Sequence, residues 1–343
     1  MSICKIAADS VFPWVETLIG KQLVYGPVSS GGRFKYVQLK RARDLRLDFD
    51  VTLVSPKKFF LPQREVLIRF EKNQYESAMP GGEPFILFGV HPYDVAAIQQ
   101  MDDVFQSDSY DVHYMERRKR ATIVAVDVQN PSPNVFAACM NTAVAEDGFD
   151  VLLTLVGGTY VVDARTEKGE KLVECLQESE PADAVSLGRR DQVWSDARRF
   201  LKKHELKCAA EELPDLLERS YDHPVWEKRA SMCYSCGSCN LVCPTCYCFD
   251  MQDDLDWDLG HGERRRIWDG CMLRDFAKVA GGHNFRKHRS ERYRHRFYRK
   301  GQYMWRRFGQ IACIGCGRCA TACTTDIANP VEVYNALLEE KRP

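Results

Sequence analysis

Nowhere do the 343 residues hold an apolar run approaching the ~20 that cross a bilayer, so no membrane span is expected. The opening stretch, MSICKIAADSVFPWVETLIG, lacks a basic segment followed by a long apolar one and does not read as a signal peptide. Net charge is absent too: 48 Lys and Arg face 48 Asp and Glu, whereas a nucleic-acid binder usually shows a basic domain. No G-x-G-x-x-G opens a helix and no G-x-x-x-x-G-K-[ST] occurs, so no nucleotide site is recognisable. What remains is a cytoplasmic protein of about two domains, long enough to bury a real core.

Cysteine is what the chain has in abundance. Fifteen thiols in a reducing compartment argue for metal rather than for cross-links. Four are scattered early (Cys4, Cys139, Cys175, Cys208) and eleven lie after residue 225. Charge follows the same division. From Trp226 onward there are 20 Lys and Arg against 14 Asp and Glu, and before it 28 against 34. A boundary near 225 follows, with the proline-containing DHPVWEKRA (Asp222 to Ala230) as the junction. Residues 1–225 are expected to form an α/β domain that docks partners, and residues 226–343 a metal-bearing domain.

The α/β reading rests on short β-branched or apolar runs: Glu65–Phe70, Pro84–Val90, Ala121–Val128, Asp150–Val156 and Gly157–Ala164. Helical patterns alternate with them. Pro92–Phe105 places Val95, Ile98, Met101 and Val104 or Phe105 on one face, and Thr166–Gln177 and Arg189–Leu206 follow.

Cys233, Cys236, Cys239 and Cys243 are spaced C-x2-C-x2-C-x3-C and are followed by Pro244. Cys313, Cys316, Cys319 and Cys323 repeat the spacing, with Thr324 in place of the proline. In the bacterial ferredoxin run three cysteines hold one iron–sulfur cube and the fourth holds the other. A tight turn can present three thiolates to one face of a cube while the next cysteine points away. The expected ligands are therefore Cys233, Cys236, Cys239 and Cys323 for one cluster. Cys313, Cys316, Cys319 and Cys243 would hold the second. Gly237, Gly315 and Gly317 suit loops whose amides approach the sulfur atoms.

Zinc is the rival, but structural zinc sites close with four ligands, usually from two C-x2-C pairs. Eight thiolates in two triple runs favour iron–sulfur. Cys246, Cys248 and Cys271 are left over. They furnish either a third metal site, with His283 as a weak fourth ligand, or buried free thiols that pack as small hydrophobes. The alternating Asp254, Asp256 and Asp258 suggest a calcium loop. That loop would need glycine at Leu259 and glutamate at Arg265, so a solvated loop is expected instead.

Asn284 to Arg307 carries ten Lys and Arg against one Glu, interleaved with Tyr293, Phe297, Tyr298, Tyr303 and Trp305. Such a stretch can bind nucleic acid by phosphate neutralisation and base stacking. In a neutral chain with two anionic clusters, its cations more simply offset cluster charge and dock acidic surfaces. Arg292, Arg294, Arg296 and Arg299 lie at spacings of two and three, so they are expected on several sides of one segment.

CYSCGSCNLVCPTCYCFD, WDGCMLRDFAKVAGGHNFR, YRHRFYRKGQYMWRRFG and CIGCGRCATAC resemble the dicluster iron–sulfur subunits of cytoplasmic multisubunit redox enzymes. Sulfhydrogenase beta subunits and the iron–sulfur subunit of anaerobic sulfite reductase are of this kind. SPKKFFLPQREVLIRF, FGVHPYDVAAI and TEKGEKLVE extend the likeness into the first domain. Family members often have Cys-Phe-Cys where this chain has Val135-Phe136-Ala137, which leaves any metal site there missing or altered.

The resemblance implies an electron relay with two [4Fe-4S] clusters. The seventy-residue gap between the runs favours a mainly α-helical ferredoxin scaffold, as in heterodisulfide-reductase and succinate-dehydrogenase iron–sulfur subunits. An FAD/NAD(P)-binding reductase subunit would supply or take electrons on one side. A catalytic hydrogenase or sulfite reductase subunit would do so on the other. The chain shows no catalytic constellation of its own, which suits a relay. A flavin-binding oxidoreductase and an iron–sulfur redox sensor are the competing readings.

Overall fold

The computed structural model describes residues 2–72, 74–257 and 259–339; Asp258, weighed above as a calcium ligand, lies outside them. Strand β1 (Ser2–Ala7) leads into helix α1 (Val11–Ile19), which buries Val11, Trp14, Val15 and Leu18 at helical spacing. Strands β2 (Leu23–Ser30) and β3 (Arg33–Gln38) pair as a hairpin. After β4 (Arg64–Glu71) and β5 (Gln74–Ser77) come β6 (Phe85–Val90), α2 (Pro92–Gln106), α3 (Val112–Arg120) and β7 (Ala121–Val126). Then follow β8 (Val151–Val156), β9 (Thr159–Ala164), α4 (Glu167–Val173), β10 (Glu180–Pro181) and α5 (Ala184–Phe200).

The main sheet has the order β10-β1-β9-β8-β7-β6-β2-β3. Its centre, β2, β6, β7 and β8, is parallel, and the flanking pairs are antiparallel. Every residue of β7 is buried, as expected of a parallel strand covered on both faces. Val124 and Val126 pack on the α1 side, while Ile123 and Ala125 pack on the α2 and α3 side. This is the α/β architecture that the apolar runs imply.

One run leaves that sheet. EVLIRF reads as a buried strand, but β4 is half exposed and sits in a second sheet of order β11-β12-β4-β5. Its partners are β11 (Phe249–Leu255) and β12 (His261–Trp268), from the far side of residue 225. Of the segment expected as a solvated loop, Phe249–Leu255 is instead strand β11, exposed at every residue, while Asp256 and Trp257 lie in the connection to β12. Cross-strand ion pairs hold it in place, Asp253 with Arg264 at 2.7 Å and Asp254 with Arg265.

The rest of the tail is built from short helices. These are α7 (Val225–Ala230), α8 (Ser238–Leu241), α9 (Arg289–Tyr298), α10 (Met304–Phe308), α11 (Arg318–Thr321) and α12 (Pro330–Glu339), and α6 (Leu213–Glu218), which precedes residue 225, packs with them. Three aromatics of the basic stretch, Tyr293, Phe297 and Tyr298, face inward, whereas Tyr303 and Trp305 are half-buried. Trp226 lies 5.9–6.4 Å, ring to ring, from Tyr293, Phe297 and Tyr298, within a core that also takes in Leu213, Leu217 and Tyr334. Tyr293, Phe297 and Tyr298 are therefore core residues rather than a stacking platform. Among the described residues no helix is long and apolar enough to cross a membrane.

Candidate metal centre

The two cysteine runs fold alike. In each, a residue at positive φ precedes the second cysteine (Ser235, Gly315), and a glycine at positive φ follows it (Gly237, Gly317). That glycine opens a one-turn helix, α8 or α11, carrying the third cysteine. The turn folds the first three thiols toward a common side, and the fourth leaves in another direction.

Cys233, Cys236 and Cys239 line one cavity, and the thiol completing its wall is Cys323 from the other run. Cys313, Cys316 and Cys319 line a second, completed by Cys243 from the first run. Among the described residues no three His, Cys, Asp or Glu side chains converge as ligands of a single ion would. The thiols ring a space instead, which suits a multi-atom cube better than one zinc with sulfurs about 2.3 Å away.

The walls fit an anionic group. The Ser235 amide donates to Cys233 Sγ at 3.3 Å, and the amides of Gly315 and of Thr325, Ile327 and Ala328 favour the thiolate forms of Cys313 and Cys323 respectively. A hydroxyl two residues on lies 3.3–3.5 Å from Cys236, Cys243 and Cys323 (Ser238, Thr245, Thr325). Burial pushes the Cys313 thiol up to about 12 and raises Cys319 further, so these sulfurs become thiolates only with compensating positive charge.

Such charge lies close by. Lys300 is buried, and its Nζ donates to the carbonyl and hydroxyl of Thr245 at 2.8 and 2.6 Å. Burial alone pulls Lys300 down, yet the sulfurs of Cys243 and Cys246 hold it above the ordinary lysine range. Lys57, from the first domain, donates to the carbonyls of Cys243 and Cys246 at 3.1 and 2.7 Å over the ring of Trp268. Burial lowers it to about 8. Among the described residues, Lys57, Lys300, Arg292 and Arg296 have no carboxylate within 4 Å. Buried cations without carboxylates need another anion, and the sulfurs of Cys239, Cys243, Cys246 and Cys319 are the groups that act on Arg296, two of them also on Lys300.

The cavities differ in setting. Cys236 is exposed and Tyr234 beside it is 75% exposed, so the first reaches the surface. The second lies against the α/β part. Phe136 donates its amide to the Gly315 carbonyl at 2.8 Å, and Thr142 its hydroxyl to that of Ile314 at 2.7 Å. Val135, Phe136 and Ala137 are buried there: Phe136 lines the cage, and Val135 and Ala137 belong to the apolar cluster that includes Ile314 and Cys316.

Of the remaining tail thiols, Cys246 donates to Cys243 and so holds it well below the usual thiol range. The buried amide of Asn240 donates to Cys246 at 3.7 Å and to Cys271 at 3.5 Å. Cys248 is close enough to influence Cys271 electrostatically. His283 is exposed and meets Phe285 edge-on, 4.7 Å from ring to ring.

The four arginines do face several sides. Arg292 and Arg296 are buried four residues apart, Arg294 covers Tyr221 at 3.7 Å, and Arg299 covers Tyr247 at 4.6 Å. Sequence reasoning missed Lys57, Lys300 and Asn240. Lys300 had a signal, since it belongs to the basic stretch; Lys57 lies 186 residues from its nearest partner and had none.

Residues 232–327 match the 4Fe-4S dicluster domain family. Over 324 residues the chain is 34% identical to the sulfhydrogenase 2 subunit beta of Pyrococcus furiosus, covering 92% of each protein. Over 179 residues it is 24% identical to the F420-dependent formate dehydrogenase subunit beta of Methanocaldococcus jannaschii, covering 50% of this chain and 36% of that one.

Proposed function

The chain belongs to the sulfhydrogenase beta-subunit family, and from that premise we propose that it relays electrons between a flavin-bearing and a catalytic partner. It carries [4Fe-4S] clusters and is an iron–sulfur electron-transfer subunit of a hydrogenase-type complex. The proposed ligands are Cys233, Cys236, Cys239 and Cys323 for the surface cluster. Cys313, Cys316, Cys319 and Cys243 are those for the inner one.

When bound, each cluster accepts and returns one electron. The chain's own residues do the rest. Thiolates hold the iron, amides and hydroxyls stabilise the sulfurs, Lys300 and Arg296 offset negative charge, and Phe136 and Tyr334 help exclude water. The observation that carries this reading is a pair of four-thiol cavities, one opening at Cys236 and one lying at the α/β domain. Electrons can thus enter at one end and leave at the other.

In this reading residues 226–343 are a ferredoxin domain of the helical type, and residues 1–225 dock partners in the cytoplasm. An FAD/NAD(P)-binding reductase subunit exchanges electrons with one cluster, and a hydrogenase or sulfite reductase subunit with the other. Cys246 and Cys271 lie around the Asn240 amide, and Cys248 acts electrostatically on Cys271.

The test is metal content together with reduction. Anaerobically purified protein is expected to hold about eight irons and eight acid-labile sulfides, from two cubes. NAD(P)H is expected to reduce both clusters only when the reductase partner is present. About twelve irons would make Cys246, Cys248 and Cys271 ligands of a third cluster. Stoichiometric zinc without sulfide would overturn the reading.

A further inference from the structure

Arg296 belongs to the walls of both thiol cavities. It lies on the inner face of α9 at 3% exposure, and its Nη2 donates to the Cys239 carbonyl at 3.0 Å. No carboxylate lies within 4 Å among the described residues, and the buried Nε has no hydrogen-bond partner. A buried cation with an unused donor is costly unless anions compensate it. Here the anions stand on two sides. Cys239 of the surface cage and Cys243 and Cys319 of the inner one all act on this guanidinium.

We propose that Arg296 is a shared electrostatic element, one buried guanidinium that stabilises an added electron on either cluster and so raises both reduction potentials. In the low-dielectric interior a charge acts strongly on both neighbours at once, and its effect falls with distance. The consequence is functional. With both clusters beside the same cation, each is made easier to reduce by a charge that neither cage has to itself. Lys300 provides the contrast, because it borders only the inner cavity.

This inference rests on the two-cluster reading, and potentials separate the two. Redox titrations followed by EPR would compare the unmodified protein with Arg296→Gln, Arg296→Lys and Lys300→Gln. Arg296→Gln is expected to lower both midpoint potentials, while Arg296→Lys, which keeps the charge, leaves both near their original values. Lys300→Gln is expected to lower only that of the inner cluster. A shift of one potential alone, or of neither, in iron-replete Arg296→Gln overturns the proposal. Should that variant fail to retain iron, the apolar Arg296→Met, which also removes the charge, is read the same way: a lowering of both potentials supports the proposal, and a shift of one alone or of neither contradicts it. Absence of both cluster signals from the unmodified protein would defeat the relay reading itself.

Discussion

The guanidinium of Arg318 grips both carboxylate oxygens of Asp94 at 2.7 Å, and both side chains are buried. The pair ties the first turn of α2 to the loop that presents Cys316 and Cys319. Arg318 also donates to the Thr52 carbonyl at 2.9 Å, so the first domain holds this loop at two points.

Breaking that pair should therefore be felt at the inner cluster. Asp94→Leu leaves a buried guanidinium uncompensated, at a cost of ~3–5 kcal/mol. A lower Tm is expected, with the inner cluster lost first on warming. The double variant Asp94→Leu/Arg318→Met removes both charges and should recover much of the loss. Thermal melts followed at the iron–sulfur absorbance check this, and an Asp94→Leu chain as stable as the original would contradict it.

Gly317 and Gly237 occupy matching turns, at φ 76° and 75°, but their surroundings differ. A Cβ on Gly317 would lie 2.3 Å from the Asn134 carbonyl oxygen, which is backbone of the first domain. On Gly237 it would meet the Leu273 side chain at 2.9 Å. Both alanine substitutions carry the ~1–3 kcal/mol of a positive φ. Only Gly317→Ala must also push a backbone aside. Iron analysis should find both clusters in Gly237→Ala and the inner one missing from Gly317→Ala; equal losses would contradict the domain contact.

Asp127, at the end of β7, accepts hydrogen bonds from Thr154 and Trp194, but burial still raises its pKa from 3.8 to about 6. The folded chain therefore holds this proton more tightly than the unfolded one. The resulting stabilisation is full below about pH 4 and is lost as pH rises through about 6, a change of ~3 kcal/mol. Asp127→Asn should remove this pH dependence and gain stability at pH 8. Urea midpoints followed by Trp fluorescence at pH 5 and pH 8 provide the check. An unchanged difference between the two pH values in the variant would show that another group is responsible.

Local patterns carried the parts of this molecule that depend on neighbours in sequence. The buried run ATIVAV had to be an inner strand, and Val95, Ile98, Met101 and Phe105 recur at helical spacing on the buried face of α2. The repeated cysteine spacing implied two clusters because one turn can aim only three thiols to one side. Residues joined across the chain were not legible. Glu65–Phe70 pairs with a hairpin nearly 200 residues later, and nothing in its alternation names that partner. The aromatics of the basic stretch likewise suit stacking or a core equally well until Trp226 is seen against them.

The relay itself is tested most directly by Cys243→Ser in the assembled complex, with EPR and electron transfer between the partners read on the same sample. Cys243 lies in the first run but lines the cavity of Cys313, Cys316 and Cys319. The account predicts an altered or missing inner-cluster signal, an intact surface-cluster signal, and transfer from NAD(P)H to the catalytic partner slowed at least roughly tenfold, equivalent to ~1.4 kcal/mol on the barrier. Damage confined to the cluster of Cys233, Cys236 and Cys239, or transfer at the original rate with the inner cluster gone, would contradict it.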